Sequence, residues 1–261
     1  MTPFVKMHGA GNDFVIFDAR EMPVPLSPDV VRRLADRHYG IGCDQLFRLE
    51  KSARADLFVR IWNPDGSEAG ACGNGMRCVA ALTGATSLET LAGVLDVPGG
   101  DSHVVAMGVP RFGWEEIPLA HAMDTLTMPV AWEMLEAPSA VSMGNPHVVF
   151  LVEDVEAVPL ERLGPLIECD PLFPERVNVG VARVEGRDRI VLRVWERGAG
   201  LTLACGSGAC AAFAVARRRR LVDAHATVAL PGGDLLLRER DDGQILMGGP
   251  AETVFRGEIA L

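Results

Sequence analysis

Two stretches of this sequence, "EAGACGNGMRCVAA" at 68–81 and "LTLACGSGACAA" at 201–212, share Ala-Cys-Gly-x-Gly, and the distance between them recurs elsewhere in the chain. From Cys72 to Cys205 is 133 positions, and the same offset carries Trp62 onto Trp195, Gly11 and Asn12 onto Gly144 and Asn145, Phe17 onto Phe150, and Gln45 onto Asn178. A constant register across separated motifs is what an internal duplication leaves, each copy being one folded unit. Two copies are too few for a solenoid, and each is long enough for its own core. Two related domains facing one another across a cleft are therefore expected.

A coarse reading puts strands first and a helix after them in each half. "DFVIFDAR", "DLFVRIWN", "HVVFLVED", "RIVLRVWE" and "ATVALPGG" are short β-branched or alternating runs, and "DLLLRERDDGQILMGG" reads as a hairpin about "DDG". "SPDVVRRLADRHYG" predicts a helix with Ser27 as N-cap, Pro28 in its first turn and Gly40 as its stop. "GNGMRCVAAL" and "GSGACAAFAVARRRR" predict Ala-rich helices starting just after Cys72 and Cys205. The boundary falls within 121–135, which holds Pro129, giving domains 1–121 and 122–261 with the last strand free to return to the first.

Composition excludes several classes. With 48% hydrophobic and 23% charged residues the chain is globular rather than disordered. Its net charge of -10 offers nothing to a polyanion, and Arg217 to Arg220 read as the solvated last turn of a helix, where the dipole favours cations. Nucleic acid is not an expected partner. The N-terminus lacks a basic region followed by an apolar stretch, so a cytoplasmic protein is expected. Residues 198–216 carry no charge, but their glycines, Thr202 and Ser207 argue against membrane insertion.

Cys43, Cys72, Cys78, Cys169, Cys205 and Cys210 include no C-x-x-C pair, so thiols are expected rather than a disulfide framework, and no metal site. A cysteine at a helix N-terminus sits beside unpaired backbone N–H groups and the positive end of the dipole, which is expected to lower its pKa. The following glycines, Gly73, Gly75, Gly206 and Gly208, allow the same N–H groups to receive a carboxylate. The plainer reading is two related helices packed through small residues. Duplication favours chemistry. Inverting a stereocentre needs one group to take the α-proton and another to deliver a proton to the opposite face, in either direction. Pyridoxal phosphate, the usual electron sink, needs a Schiff-base lysine, and neither Lys6 nor Lys51 adjoins a glycine-rich phosphate loop. A cofactor-independent reaction is favoured.

"HGAGNDF", "NPDGSEAGACGNGMRC", "MGNPH", "VNVG" and "WERGAGLTLACGSGACA", in this order, resemble the diaminopimelate epimerases, and the resemblance runs on to "GGPAETVFRG". It implies an α+β fold of two pseudo-symmetric domains, each a β-barrel-like sheet wrapped around a central helix, with a cofactor-free site in the cleft between them. It implies that Cys72 and Cys205 are the paired base and acid, and that Gly73, Asn74, Gly206 and Ser207 cradle the reacting carboxylate. Asn12, Gln45, Asn63, Asn145, Asn178, Glu196 and Arg197 would line the rest of a pocket for a substrate with a second amino-acid head, with His147 and Glu196 tuning the thiols. Asn12 and Asn63 also fit plain turn residues, and His147 a structural one.

The small molecule diaminopimelate is the expected partner and a homodimer the expected assembly. Leu201 departs from the family, which more often has Glu after "ERGAG", and residues 97–121 match poorly; the other four cysteines fall at no catalytic position. Two rivals are a proline or hydroxyproline racemase of the same fold and a non-catalytic amino-acid-binding module, which would tolerate serine at 72 and 205.

Overall fold

The duplicated register appears directly in strand pairing. In the computed structural model, which describes residues 1–98 and 103–261, strands Asn12–Asp18 and Gln45–Glu50 run parallel with Phe14 opposite Gln45. Displaced by 133 positions, Pro146–Leu151 and Asn178–Gly186 also run parallel, with His147 opposite Asn178. Leu46 faces Trp62 as Val179 faces Trp195, and Trp62 faces Glu68 as Trp195 faces Leu201. Beyond the helices the register changes. Leu57 pairs with Leu88 and Ile190 with Val228, so the partners lie 140 positions apart and the second copy is longer there.

One sheet has the order Glu252–Ile259, Thr2–Gly9, Asn12–Asp18, Gln45–Glu50, Leu57–Trp62, Ser87–Thr90, Gly93–Asp96, with Glu68–Ala69 on Leu57–Trp62. The other has Ser139–Ser142, Pro146–Leu151, Asn178–Gly186, Arg189–Glu196, His225–Leu230, Gly233–Glu239, Ile245–Gly248 and Val104–Ala106, with Gly200–Thr202 on Arg189–Glu196. The chain divides into one unit of residues 1–106 and 248–261 and a second of 107–247. Residues 107–121 thus go with the second unit, ahead of the boundary expected at 121, because Ile117 and Leu119 pack in one apolar cluster with Val148, Phe150 and Ile167. The last strand lies antiparallel to Thr2–Gly9.

Among the described residues four helices accompany the sheets. Helix α1 (Pro28–Ala35) starts at Ser27, whose Oγ accepts from the Val30 N–H at 3.3 Å. It ends before Gly40, because the Asp36 carboxylate takes the N–H groups of His38 and Tyr39 and opens a turn. Helix α2 (Gly73–Thr83) closes on Gly84 at φ 72°. Helix α3 (Leu160–Glu168) carries Pro165 inside, which hid it in the sequence, although Leu160, Leu163, Gly164 and Ile167 form the buried stripe of an amphipathic helix. Helix α4 (Gly206–Arg218) is buried continuously from Gly208 to Ala216, and its alanines let strands of the second sheet pack closely along it. Among the described residues no helix is long and apolar enough to cross a membrane.

The arginine run is the last turn of α4 and the residues after it, with Arg218 and Arg220 exposed, and three of its side chains also make specific contacts. Arg217 pairs with Glu239 at 2.6 Å, the Arg218 guanidinium lies 4.4 Å from the centre of the Phe112 ring, and Arg219 donates to the Leu126 carbonyl at 2.6 Å. These three side chains tie the end of α4 to its own unit.

Candidate active site

Each unit begins its central helix with a cysteine. Cys72 and Cys205 are the N-cap residues of α2 and α4, both extended, and each Sγ accepts a backbone N–H three residues on, from Gly75 and Gly208, at 3.4 Å. The sulfur takes the place that a serine or aspartate oxygen fills at most helix starts. Glycine at 75 answers to packing: a Cβ there would come within 2.1 Å of Phe47 Cζ.

In the first unit, Asn12 Oδ1 accepts from Cys72 Sγ at 3.9 Å and from Asn74 Nδ2 at 3.3 Å. Asn74 is buried on the first turn of α2, beside Gly73. Gln45 Nε2 donates to Asn63 Oδ1 at 3.1 Å, while Asn63 also forms the turn its sequence suggested, donating from Nδ2 to Ser67 Oγ at 3.1 Å. A charged cluster that the sequence reading did not assign to the site, Asp13, Arg37 and Asp44 together with Lys6, adjoins Asn12. Asp44 accepts from Asn12 Nδ2 at 2.9 Å and pairs with Arg37 at 2.7 Å; Asp13 pairs with Arg37 at 2.8 Å and with buried Lys6 at 2.5 Å. Burial would raise the Asp13 pKa, but the Arg37 and Lys6 cations hold it down to about 2. Lys6 is thereby engaged in an ion pair. The signal for this cluster was in "GND" and "GCDQ", where an acid adjoins each pocket amide.

In the second unit, Asn145 Nδ2 donates to Ser207 Oγ at 3.4 Å, and Ser207 Oγ lies 3.6 Å from Cys205 Sγ. His147 is buried, and desolvation, aided by the Arg197 charge, holds its pKa down at about 3. The ring is therefore neutral, and its Nε2 lies 2.9 Å from Asn145 Oδ1, to which it donates in the tautomer that carries the proton on Nε2. Asn178 is buried between the Pro146 carbonyl, to which it donates at 2.8 Å, and the Arg197 N–H, from which it accepts at 3.0 Å. Glu196 accepts from Thr202 Oγ1 at 2.5 Å. The Arg197 side chain donates to the Glu175 carbonyl at 2.8 Å.

The lowered thiol pKa expected from the helix terminus is reversed at Cys205. Burial pushes it well above the usual thiol range, and the Glu196 carboxylate adds its charge and a hydrogen bond in the same direction. Hydrogen bonds from Ser207 and the Gly208 N–H oppose this but are smaller. Cys205 is held as a thiol poised beside a carboxylate. Cys43 and Cys78 are pushed up to about 12 by burial, and Cys169 sits exposed at the end of α3.

Glu168, also passed over in the sequence, is buried at the end of α3 and accepts from Trp195 Nε1 and the Gly198 N–H on either side of Glu196 and Arg197. Gly164, one turn earlier, lets the Trp195 ring approach: a Cβ there would lie 2.4 Å from Trp195 Cγ.

Two sheet-and-helix units of this kind place the chain in a fold class with broad membership. A phenazine biosynthesis protein of the PhzF family from Bacillus anthracis superposes with a TM-score of 0.69 at 16% identity, covering 100% of this chain and 99% of that one. A hydroxyproline epimerase from Agrobacterium vitis gives 0.67 at 15% identity, covering 99% and 90%. At such identities the likeness is one of fold. Sequence narrows it: the profile described as diaminopimelate epimerase matches residues 4–111 and 139–254. The diaminopimelate epimerase of Zymomonas mobilis is 55% identical over 258 residues, 98% of this chain and 96% of that relative. The chain belongs to the diaminopimelate epimerase family, a family of isomerases.

Proposed function

We propose that this protein interconverts LL- and meso-2,6-diaminopimelate by a two-base reaction that draws on no pyridoxal phosphate, in the cytoplasm and as a homodimer. The observation that carries this reading is the repeated cap: in each of two duplicated units a cysteine sulfur sits at the N-terminus of a buried helix. In the proposed reaction the two epimerase halves present Cys72 and Cys205 to opposite faces of the substrate α-carbon. One thiolate removes the α-proton and becomes a thiol; the other thiol delivers its proton to the opposite face and becomes a thiolate. Burial and Glu196 favour Cys205 as the thiol at the outset.

The carbanion formed between these steps needs its charge drawn onto the α-carboxylate. The first N–H groups of α2 and α4, at Gly73, Asn74, Gly206 and Ser207, stand where a helix supplies no acceptor of its own, and they are the proposed cradle. Asn12, Gln45, Asn63, Asn145, Asn178, Glu196 and Arg197 are proposed to hold the second amino-acid head, with His147 acting through Asn145.

The test is incubation of the reduced protein with LL-diaminopimelate in D2O, following α-deuterium by NMR and the isomers by chiral chromatography. Deuterium entering as the meso isomer forms, without added cofactor, is expected. Absence of both would overturn the substrate assignment.

A further inference from the structure

Asn12 and Asn145 are equivalent in the duplication, yet their amides are turned opposite ways. Asn12 presents Oδ1 to the start of its helix, accepting from Asn74 and from the Cys72 thiol. Asn145 presents Nδ2 to the start of its helix, donating to Ser207. The far ends of the two amides meet different partners. Asn12 Nδ2 meets Asp44 Oδ2 at 2.9 Å, and an ionised carboxylate only accepts. Asn145 Oδ1 lies 2.9 Å from His147 Nε2, a ring nitrogen that donates or accepts according to its tautomer and so does not dictate the amide's direction as a carboxylate does. Neither partner is duplicated: Val177 stands at the counterpart of Asp44, and Phe14 at that of His147.

We propose that Asp44 is a positioning residue that turns the Asn12 carbonyl toward the Cys72 thiol and so gives that thiol a hydrogen-bond acceptor which its counterpart asparagine does not offer Cys205. The assignment rests on reading Cys72 as an acid–base group. Asp44 is itself fixed. Its Oδ2 also accepts from the Asp13 N–H at 3.1 Å, its own N–H donates to Asp13 Oδ1 at 2.9 Å, and Arg37 holds its Oδ1. Lys6, Arg37, Asp13 and Asp44 form a cluster of two cations and two anions, so its leading influence on Cys72 is through the direction of the amide rather than net charge. On α2 itself the ionisable neighbours are Arg77 and Cys78, and burial keeps Cys78 protonated at neutral pH. An acceptor facing the S–H favours the thiol, against the pull of the helix N-terminus toward thiolate. Turning the amide over would put a donor there and favour the thiolate.

The test uses the reduced full-length protein without substrate: iodoacetamide alkylation of Cys72, followed peptide by peptide with mass spectrometry through the thiol titration range. Asp44→Ala is expected to move the midpoint of the Cys72 profile down by roughly 0.5 to 1 pH unit, the equivalent of one hydrogen bond. Asp44→Asn, which keeps an acceptor for Asn12 Nδ2 without the charge, is expected to retain the wild-type midpoint. In an Asn12→Ala background, Asp44→Ala should add nothing. An unmoved midpoint in Asp44→Ala, or an equal shift in Asp44→Asn, would overturn the proposal. Should Asp44→Ala fail to fold, NMR of the wild-type Asn12 side-chain amide decides: protection from hydrogen exchange is expected, and exchange as fast as an exposed amide counts against it. Because the readout is the thiol's own reactivity, a wrong substrate would leave the Asp44 effect intact, whereas a wrong positioning role would leave epimerisation intact without that effect.

Discussion

Trp195 Nε1 donates to Glu168 Oε2 at 2.7 Å, and the other oxygen of that carboxylate accepts the Gly198 N–H at 3.0 Å. One buried acid on α3 thus grips both sides of the pair Glu196 and Arg197. In Glu168→Ala both donors lose their acceptor, at about 1–3 kcal/mol for each left buried. A lower urea midpoint is expected, together with a raised KM for diaminopimelate; Glu168→Gln, which keeps one acceptor, should fall between. Wild-type stability and KM in Glu168→Ala would exclude the clamp.

Gly75→Ala should be costly for a different reason. Its new methyl would overlap the Phe47 ring, which stacks on Phe14 at 4.9 Å and has little room to retreat. Overpacking of this kind costs about 1–3 kcal/mol. Gly180→Ala, where the nearest atom would be 3.5 Å away, is the matched control and should lose less in the same denaturation series.

Glu196→Gln should speed alkylation of Cys205 at fixed pH. The carboxylate's charge and hydrogen bond both favour the thiol, so removing the charge lowers the pKa and enlarges the thiolate fraction. Burial, the larger cause, remains, and the rate should stay below that of an exposed thiol. Equal rates in the two proteins would show that Glu196 does not act on this sulfur.

His147 predicts an acid sensitivity. Its folded pKa of about 3 lies below the ordinary 6.5, so the unfolded chain binds the extra proton over that interval. Its contribution to stability is complete above 6.5 and declines as pH falls toward 3. The His147 ring resonances should stay flat between about pH 5 and 8, and His147→Phe should narrow the loss of stability on acidification. A midpoint near 6.5 by NMR would be incompatible with a neutral buried ring.

The duplication was legible because a constant offset needs no structural knowledge: Trp62 and Trp195 announce it, and their strands pair in the same register. The cysteines' place at the helix starts was equally readable from the glycines that follow. Helix α3 was not, since Pro165 and Gly164 argue locally against a helix that tertiary packing on Trp195 imposes. Nor was the direction of the Cys205 pKa, which depends on burial and on a carboxylate nine positions away in sequence. Amide orientation lay still further from view, because Asp44 reaches Asn12 only once two strands have paired in parallel.

The strand Glu252–Ile259 completes the sheet that Thr2–Gly9 begins, while residues 107–247 form the second unit without interruption. On a ribosome the half made first is therefore the half finished last. At about 5–20 residues per second, the outer edge of the nascent Thr2–Gly9 strand, whose other edge pairs with Asn12–Asp18, waits some tens of seconds for Glu252–Ile259, and that open edge is a part of the growing chain that needs shielding.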